Sequence, residues 1–243
     1  MRIKKLKKKY FDKGNVSVCG LRGTGKDILF GNVIARNKND YISNLDYTND
    51  KRFHLFNLEK LNLGKNNYKH FLSYCLNYYK WEYPYFTDIY ISDAGVYFPS
   101  QYCSELNRDY RYFPNYMALS RQVSHNNVHF NVQNLNRVWD KIREQSDIYI
   151  MCLSCKVIFG LVFLKIRIYD KYESCVNRVK PCRIKVPFFA KKDIKLQCKM
   201  HIDKFIEKNG LVVNKFLIFK NKSKHDTYMF EKLLLDGKRE RSE

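Results

Sequence analysis

Up to about residue 152 the hydrophobic pattern switches repeatedly between strand-like and helix-like segments. Asn15–Cys19 (NVSVC) is short and β-rich, is followed at once by Gly20, and predicts a first strand. In Lys26–Arg36 the apolar residues Ile28, Leu29, Val33 and Ile34 form a helical stripe. Tyr41–Asn44 predicts a second strand, Tyr68–Tyr79 a second helix, and Ile89–Ser92 a third strand ending on Asp93. Asn115–Val123 predicts a helix and Val128–Val132 a fourth strand. Leu135–Glu144, with Leu135, Val138, Trp139 and Ile142 on one face, predicts another helix, and a fifth strand starts at Asp147–Met151. This alternation predicts an α/β fold: a mainly parallel sheet flanked by helices, with ligands bound beyond the carboxyl ends of its strands.

Beyond residue 152 strand-like stretches follow one another (Val157–Tyr169, Arg183–Phe189), separated by turn signals such as Lys180-Pro181. A helical stretch at Leu196–Lys208, an apolar run at Leu211–Phe219 and a helix-like Asp226–Leu235 come next, and the last residues, GKRERSE, look frayed. The expected organisation is a basic tail over 1–13, a core domain over 14–152, and a small C-terminal appendage over 153–243, β-rich and then helical. The most apolar stretch, Ile148–Tyr169, is interrupted by Lys156, Lys165 and Arg167. It therefore predicts two buried strands with a turn near Gly160, not a membrane span. Residues 1–13 lack the apolar centre and small-residue cleavage site of a secretory signal. A soluble, cytoplasmic protein is expected.

Composition adds a partner class. The 243 residues include 45 Lys and Arg against 24 Asp and Glu, a formal charge of +21, with 45% hydrophobic and 16% aromatic residues. That is too apolar for a disordered basic tail, so the charge sits on a folded body and points to a polyanion. Codon bias is a second source, because Lys, Asn, Tyr, Phe and Ile are abundant and have AT-rich codons. Arg2, Lys4, Lys5, Lys7, Lys8 and Lys9 are the candidate contacts to a DNA backbone; their alternative is a solubilising tail. The eight cysteines carry no secretion signal and are expected to be reduced. Only Cys152, Cys155, Cys175 and Cys182 suggest a zinc site. The first pair lies in an apolar run and the second is widely spaced, so buried thiols are favoured over zinc.

The candidate chemistry starts at the first strand–helix junction. Gly20, Leu21, Arg22, Gly23, Thr24, Gly25, Lys26 and Asp27 read GLRGTGKD, a GxxxxGK phosphate-binding loop with a strand before it and a helix after it. The glycines let backbone N–H groups curl around phosphates, Lys26 neutralises them, and the helix offers its positive end. Asp27 stands where a Ser or Thr hydroxyl usually ligates Mg²⁺. A carboxylate there could ligate the metal directly, or mark altered nucleotide binding. A hydrophobic strand ending in an acid should follow, and Asp88–Asp93 (DIYISD) supplies Asp93 as the second Mg²⁺ candidate. Ala94 follows it, where many such ATPases carry a Glu that orients the attacking water.

From Gly20 to about Ile150 the sequence resembles the Zot-like branch of the FtsK–HerA P-loop ATPases. The matching pieces are GLRGTGKD, YISNL, ISDAGVYFPS, SRQVSHNNVHFNVQ and RVWDKIREQSDIYI, in that order. The resemblance implies a P-loop NTPase fold, ATP and Mg²⁺ as ligands, and a homo-oligomeric ring. It implies γ-phosphate sensing by Gln133 at the end of the fourth strand, and an inter-subunit arginine among Arg121, Arg137 and Arg143. Membrane-anchored members carry a hydrophobic segment after the ATPase domain, which this chain lacks, so genome packaging gains over extrusion. Two readings follow. One is an ATP-driven DNA translocase or phage-assembly ATPase in the host cytoplasm, engaged with a capsid, portal or membrane partner. The other is a hydrolysis-deficient nucleotide-binding accessory that binds nucleic acid.

Overall fold

The computed structural model describes residues 2–49, 51–56, 87–100, 113–118, 120, 126–184, 186, 189 and 191–223. The predicted helices Tyr68–Tyr79 and Asp226–Leu235 and the candidate Arg121 lie outside these residues, as does part of Asn115–Val123, of which 115–118 and 120 are helical. One eight-stranded sheet organises the described chain. Its strands are β1 (Val16–Cys19), β2 (Tyr41–Ser43), β3 (Phe53–Leu55), β4 (Asp88–Ile91), β5 (Val128–Val132), β6 (Ile148–Ile158), β7 (Leu161–Tyr169) and β8 (Val212–Lys220). The order is β3-β2-β4-β5-β1-β6-β7-β8. Every pairing from β3 to β6 is parallel, and β7 and β8 add antiparallel strands. The fold is therefore α/β with a mostly parallel, mixed sheet.

Helices cover both faces, as the apolar content of the central strands requires. All of β1 is buried, between β5 and β6. On one face, α1 (Ile3–Leu6), the turn after it and α2 (Lys26–Ile34) pack Leu6, Phe11, Leu29 and Phe30 onto Val16, Val18, Ile150 and Leu164. On the other face, Phe98, Phe113, Trp139 and Cys175 cover Ile89, Phe130 and Val132. Short helices α3 (Ala94–Tyr97), α4 (Asp140–Arg143) and α5 (Tyr172–Val176) and the longer α6 (Lys192–Asn209) complete the elements. No helix among the described residues is long and apolar enough to cross a membrane.

Several expectations change. The segment expected as a basic tail is helical: α1 continues as a π-helical turn, Lys7–Phe11, and Ile3, Leu6, Tyr10 and Phe11 are buried. Their spacing makes an apolar stripe that closes one face of the sheet, while Arg2, Lys4, Lys5, Lys8 and Lys9 stay exposed. The boundary at 152/153 falls inside β6, and β7 and β8 extend the same sheet. The helix predicted over Leu135–Glu144 is broken into a 3₁₀ turn, Leu135–Arg137, and α4. Between them Val138 is extended and bridges Pro99, and the Trp139 N–H donates to the Phe98 carbonyl at 2.8 Å. Arg183, Ile184, Val186 and Phe189 form no strand, between Pro181 and the start of α6. The strands predicted around Gly160 are real, but the tip of their hairpin is exposed, not buried.

Candidate nucleotide site

The loop between β1 and α2 closes tightly on itself. The Thr24 hydroxyl donates to the Leu21 carbonyl at 2.7 Å, and the Leu29 N–H donates to the Gly25 carbonyl at 2.9 Å to start α2. Gly25 has φ +88°, and a Cβ there would stand 2.5 Å from the Cys155 Cβ and 2.8 Å from its Sγ, so conformation and space both demand glycine. A Cβ on Gly20 would meet the Cys152 carbonyl oxygen at 2.8 Å. Strand β6 is thus the back wall of the loop. A bulge between Cys152 and Ser154 lets residues three apart both turn toward α2. The N–H groups in the first turn of α2 have no intrahelical acceptor and are available to an anion.

Charge gathers at the mouth of this loop. The Lys26 side chain is 8% exposed, and its Nζ donates to Asp27 Oδ2 at 2.9 Å and lies 3.7 Å from Asp93 Oδ1. Asp93 caps β4 in the left-handed region, φ +48°, a conformation that Asp tolerates and that is found at functional turns. Strand β5 runs between β1 and β4, and its buried Asn131 links the Asp27 carboxylate to the Asp93 backbone. Its Nδ2 donates to Asp27 Oδ1 at 3.1 Å, and its Oδ1 accepts the Asp93 N–H at 2.9 Å. The Asn131 amide also reaches Ser92 Oγ at 3.2 Å, and Ser92 Oγ bonds the Tyr47 hydroxyl. Burial, and then the Asp27 and Asp93 carboxylates, push the Tyr47 hydroxyl far above the usual phenol range, so it remains neutral.

The sequence-predicted residues separate into groups. Gly20 to Asp27 and Asp93 lie together at the carboxyl ends of β1 and β4. Gln133, one residue past β5, is exposed and lines a neighbouring cavity of about 410 Å³ with Gly20, Thr24, Arg167 and Arg178. Asn131, which the sequence reading missed, is the β5 side chain that touches the charged cluster. An amide in the core strand VHFNV, beside His129 two positions earlier, was its signal. Arg137 is exposed beside Gly95, two residues beyond Asp93. Arg143 packs its guanidinium 4.7 Å above the Tyr172 ring and donates to the Val138 carbonyl. Ala94 is fully buried.

The cysteines have packing roles. Cys152 and Cys155 back the loop, and Cys175 lies with its Sγ 3.6 Å from that of Cys19. Burial pushes the Cys152 thiol well up, and the hydrogen bond with Cys19, together with burial, does the same for Cys175. Among the described residues no group of three or more His, Cys, Asp and Glu side chains is arranged to hold a metal. Two carboxylates flank Lys26, however, and Mg²⁺ is commonly held by one or two carboxylates plus substrate phosphates, so the donor set suits that ion.

Strand, glycine-rich loop, helix with a buried lysine, and an acid at the end of a parallel strand together define a phosphate-loop α/β fold. The N-terminal domain of zonular occludens toxin from Neisseria meningitidis is a structural neighbour at 10% identity and TM-score 0.44, over 90% of this chain and 97% of that one. So is the genome packaging NTPase B204 from Sulfolobus turreted icosahedral virus 2, in complex with AMPPCP, at 14% identity and TM-score 0.40, over 65% and 93%. The DNA-packaging ATPase B204 from Sulfolobus turreted icosahedral virus is another, at 15% identity and TM-score 0.38, over 66% and 93%. No protein-family model and no curated protein matches the sequence.

Proposed function

We propose that the chain is an ATP-dependent DNA-handling ATPase, a packaging or assembly motor of a small phage or mobile element. The observation that carries this reading is the cluster Lys26, Asp27, Asn131 and Asp93 at the mouth of a GxxxxGK loop. ATP would lay its β- and γ-phosphates against the loop N–H groups. Lys26 would turn from Asp27 to the phosphate oxygens. Asp27 and Asp93 would hold Mg²⁺, which when bound neutralises charge on the β- and γ-phosphates. Asn131 would hold the Asp27 carboxylate and the Asp93 backbone in place, and Gln133 would sense the γ-phosphate. Arg137 or Arg143 would complete a neighbour's site in a ring. The DNA part of the reading rests on the motif order that resembles the Zot-like branch and on the basic charge.

One observation favours a second reading, a nucleotide-binding accessory without turnover: Lys26 is already neutralised by Asp27, and the usual acid after Asp93 is a buried alanine. ATP turnover measured with and without DNA separates the two. The motor predicts DNA-stimulated turnover that Lys26→Ala or Asp93→Ala abolishes. Tight ATP binding with no hydrolysis in either condition would reject it.

A further inference from the structure

The outer sheet surface at the β6–β7–β8 end mixes aromatic and basic side chains. In the antiparallel register Lys156 stands opposite Phe163, Phe163 opposite Ile218, Lys165 opposite Phe216, and Leu161 opposite Lys220, so these side chains share one face. The opposite face of the same strands is buried against the α2 side through Val162, Leu164, Leu217 and Phe219. On the outer face Phe216 is 52% exposed, and the Phe163 and Phe216 rings lie 6.5 Å apart. The sequences of β6, β7 and β8 contain five Lys and Arg and no Asp or Glu. Over 148–223 there are 17 Lys and Arg against five Asp and Glu.

The turn at the tip adds an independent observation. Ile158 pairs with Leu161, leaving Phe159-Gly160 as a two-residue loop, and both residues have positive φ, +47° and +74°. Such a loop favours Asn-Gly or Asp-Gly; a bulky aromatic at its first position is strained. Phe159 is nevertheless fully exposed and buries nothing that would offset the strain. A strained, exposed aromatic beside a face that interleaves phenylalanine with lysine is explained by a ligand that stacks.

We propose that this face is a platform for single-stranded nucleic acid, with bases stacked on Phe163, Phe216 and the tip residue Phe159 and the backbone phosphates held by Lys156, Lys165 and Lys220. Aromatic rings supply sequence-tolerant stacking, and the lysines supply the charge complement. The platform goes beyond the proposed ATPase and does not depend on nucleotide.

The test is fluorescence anisotropy of a labelled oligo-dT with the full chain in the absence of ATP, over a salt series. Phe163→Ala and Phe216→Ala should each weaken binding about 5- to 100-fold. Lys165→Gln should lower the slope of log K against log salt by about 0.7. Phe216→Trp should keep the affinity and show quenching on binding. Phe159→Asn fits the turn better, so it should hold or raise Tm while weakening binding several-fold, which separates lost contact from lost fold. Lys26→Ala should bind oligo-dT normally, so a failed ATPase leaves this result interpretable. Unchanged affinity in the Phe variants, equal affinity for duplex DNA, or binding to anionic phosphatidylserine vesicles but not to oligo-dT would each overturn the proposal.

Discussion

Asp27 places a negative charge where a bound nucleotide would place several more. Its carboxylate is 39% exposed and is held by Lys26 on one side and Asn131 on the other. A unit charge about 4 Å from a phosphate oxygen costs about 1 kcal/mol in water and about 4 kcal/mol at a protein surface. Replacing Asp27 by Asn should therefore tighten Mg²⁺-free ATP binding by about tenfold or more, and that gain should shrink when Mg²⁺ is added. Isothermal titration with and without the metal reads both effects, and weaker Mg²⁺-free binding would show that Asp27 helps build the site. Asn131 makes a different prediction. Asn131→Ala strips acceptor and donor from Asp93 N–H and Asp27 Oδ1 at once, and leaving such partly buried groups unpaired costs about 1–3 kcal/mol. A lower Tm together with weaker ATP binding is expected. The loop, Lys26 and Asp93 were legible because their chemistry is local in sequence. Asn131 was not, since its role depends on β5 lying between β1 and β4, which no spacing along the chain reveals.

At the scale of elements, β6 is what shapes the loop. Cys155 approaches so closely that even a methyl group on Gly25 would collide with it, so the wall tolerates only small side chains. Cys155→Ala should leave nucleotide binding intact, whereas Cys155→Leu should displace the loop and cost about 1–3 kcal/mol of stability through overpacking. Thermal melts and nucleotide titration of both variants check this, and normal ATP binding by Cys155→Leu would remove β6 from the site. The cysteine pair suggested a metal from its spacing alone. The bulge that turns both thiols to the same side of the strand is a backbone irregularity that the apolar run did not announce. The N-terminal helix was hidden differently. Its apolar stripe at Ile3, Leu6, Tyr10 and Phe11 was present in the sequence, but interleaved lysines made the segment read as a charge run. Phe11 is fully buried, so Phe11→Ala should cost about 3–5 kcal/mol, whereas charge-removing changes at exposed Lys4 or Lys8 should leave stability nearly unchanged. Denaturant titration of these variants tells a structural helix from a detachable tail.

Across the whole molecule a single sheet joins what the sequence pattern divided at residue 152. The pattern changed there because parallel strands give way to an antiparallel hairpin and then, after two helices, a third antiparallel strand, yet the hydrogen-bonded ladder continues through β6, β7 and β8. A change of connection is visible along a sequence; whether the next strands join the same sheet is not. The core that this continuity creates is rich in tyrosine, and that makes its cohesion measurable by pH. Burial raises the hydroxyl pKa of Tyr41 to about 12 and that of Tyr90 well above 10. It also raises Tyr149, and Tyr47 is raised with it. A group whose pKa is higher in the folded state keeps its proton there while the unfolded chain loses it. Stability is therefore complete below about pH 10 and falls as pH rises from 10 toward the folded values, by about 1.4 kcal/mol per pH unit for each such tyrosine. Tyr41 stops contributing near pH 12, and the deeply buried Tyr47 and Tyr90 carry the loss beyond it. Of the 19 tyrosines, the exposed ones should ionise gradually near pH 10, and the buried set in one later step coincident with loss of the circular dichroism signal. Tyrosinate absorbance recorded alongside circular dichroism decides it: gradual ionisation of all tyrosines with the fold intact would mean that the aromatic core on both faces of the sheet is open to water.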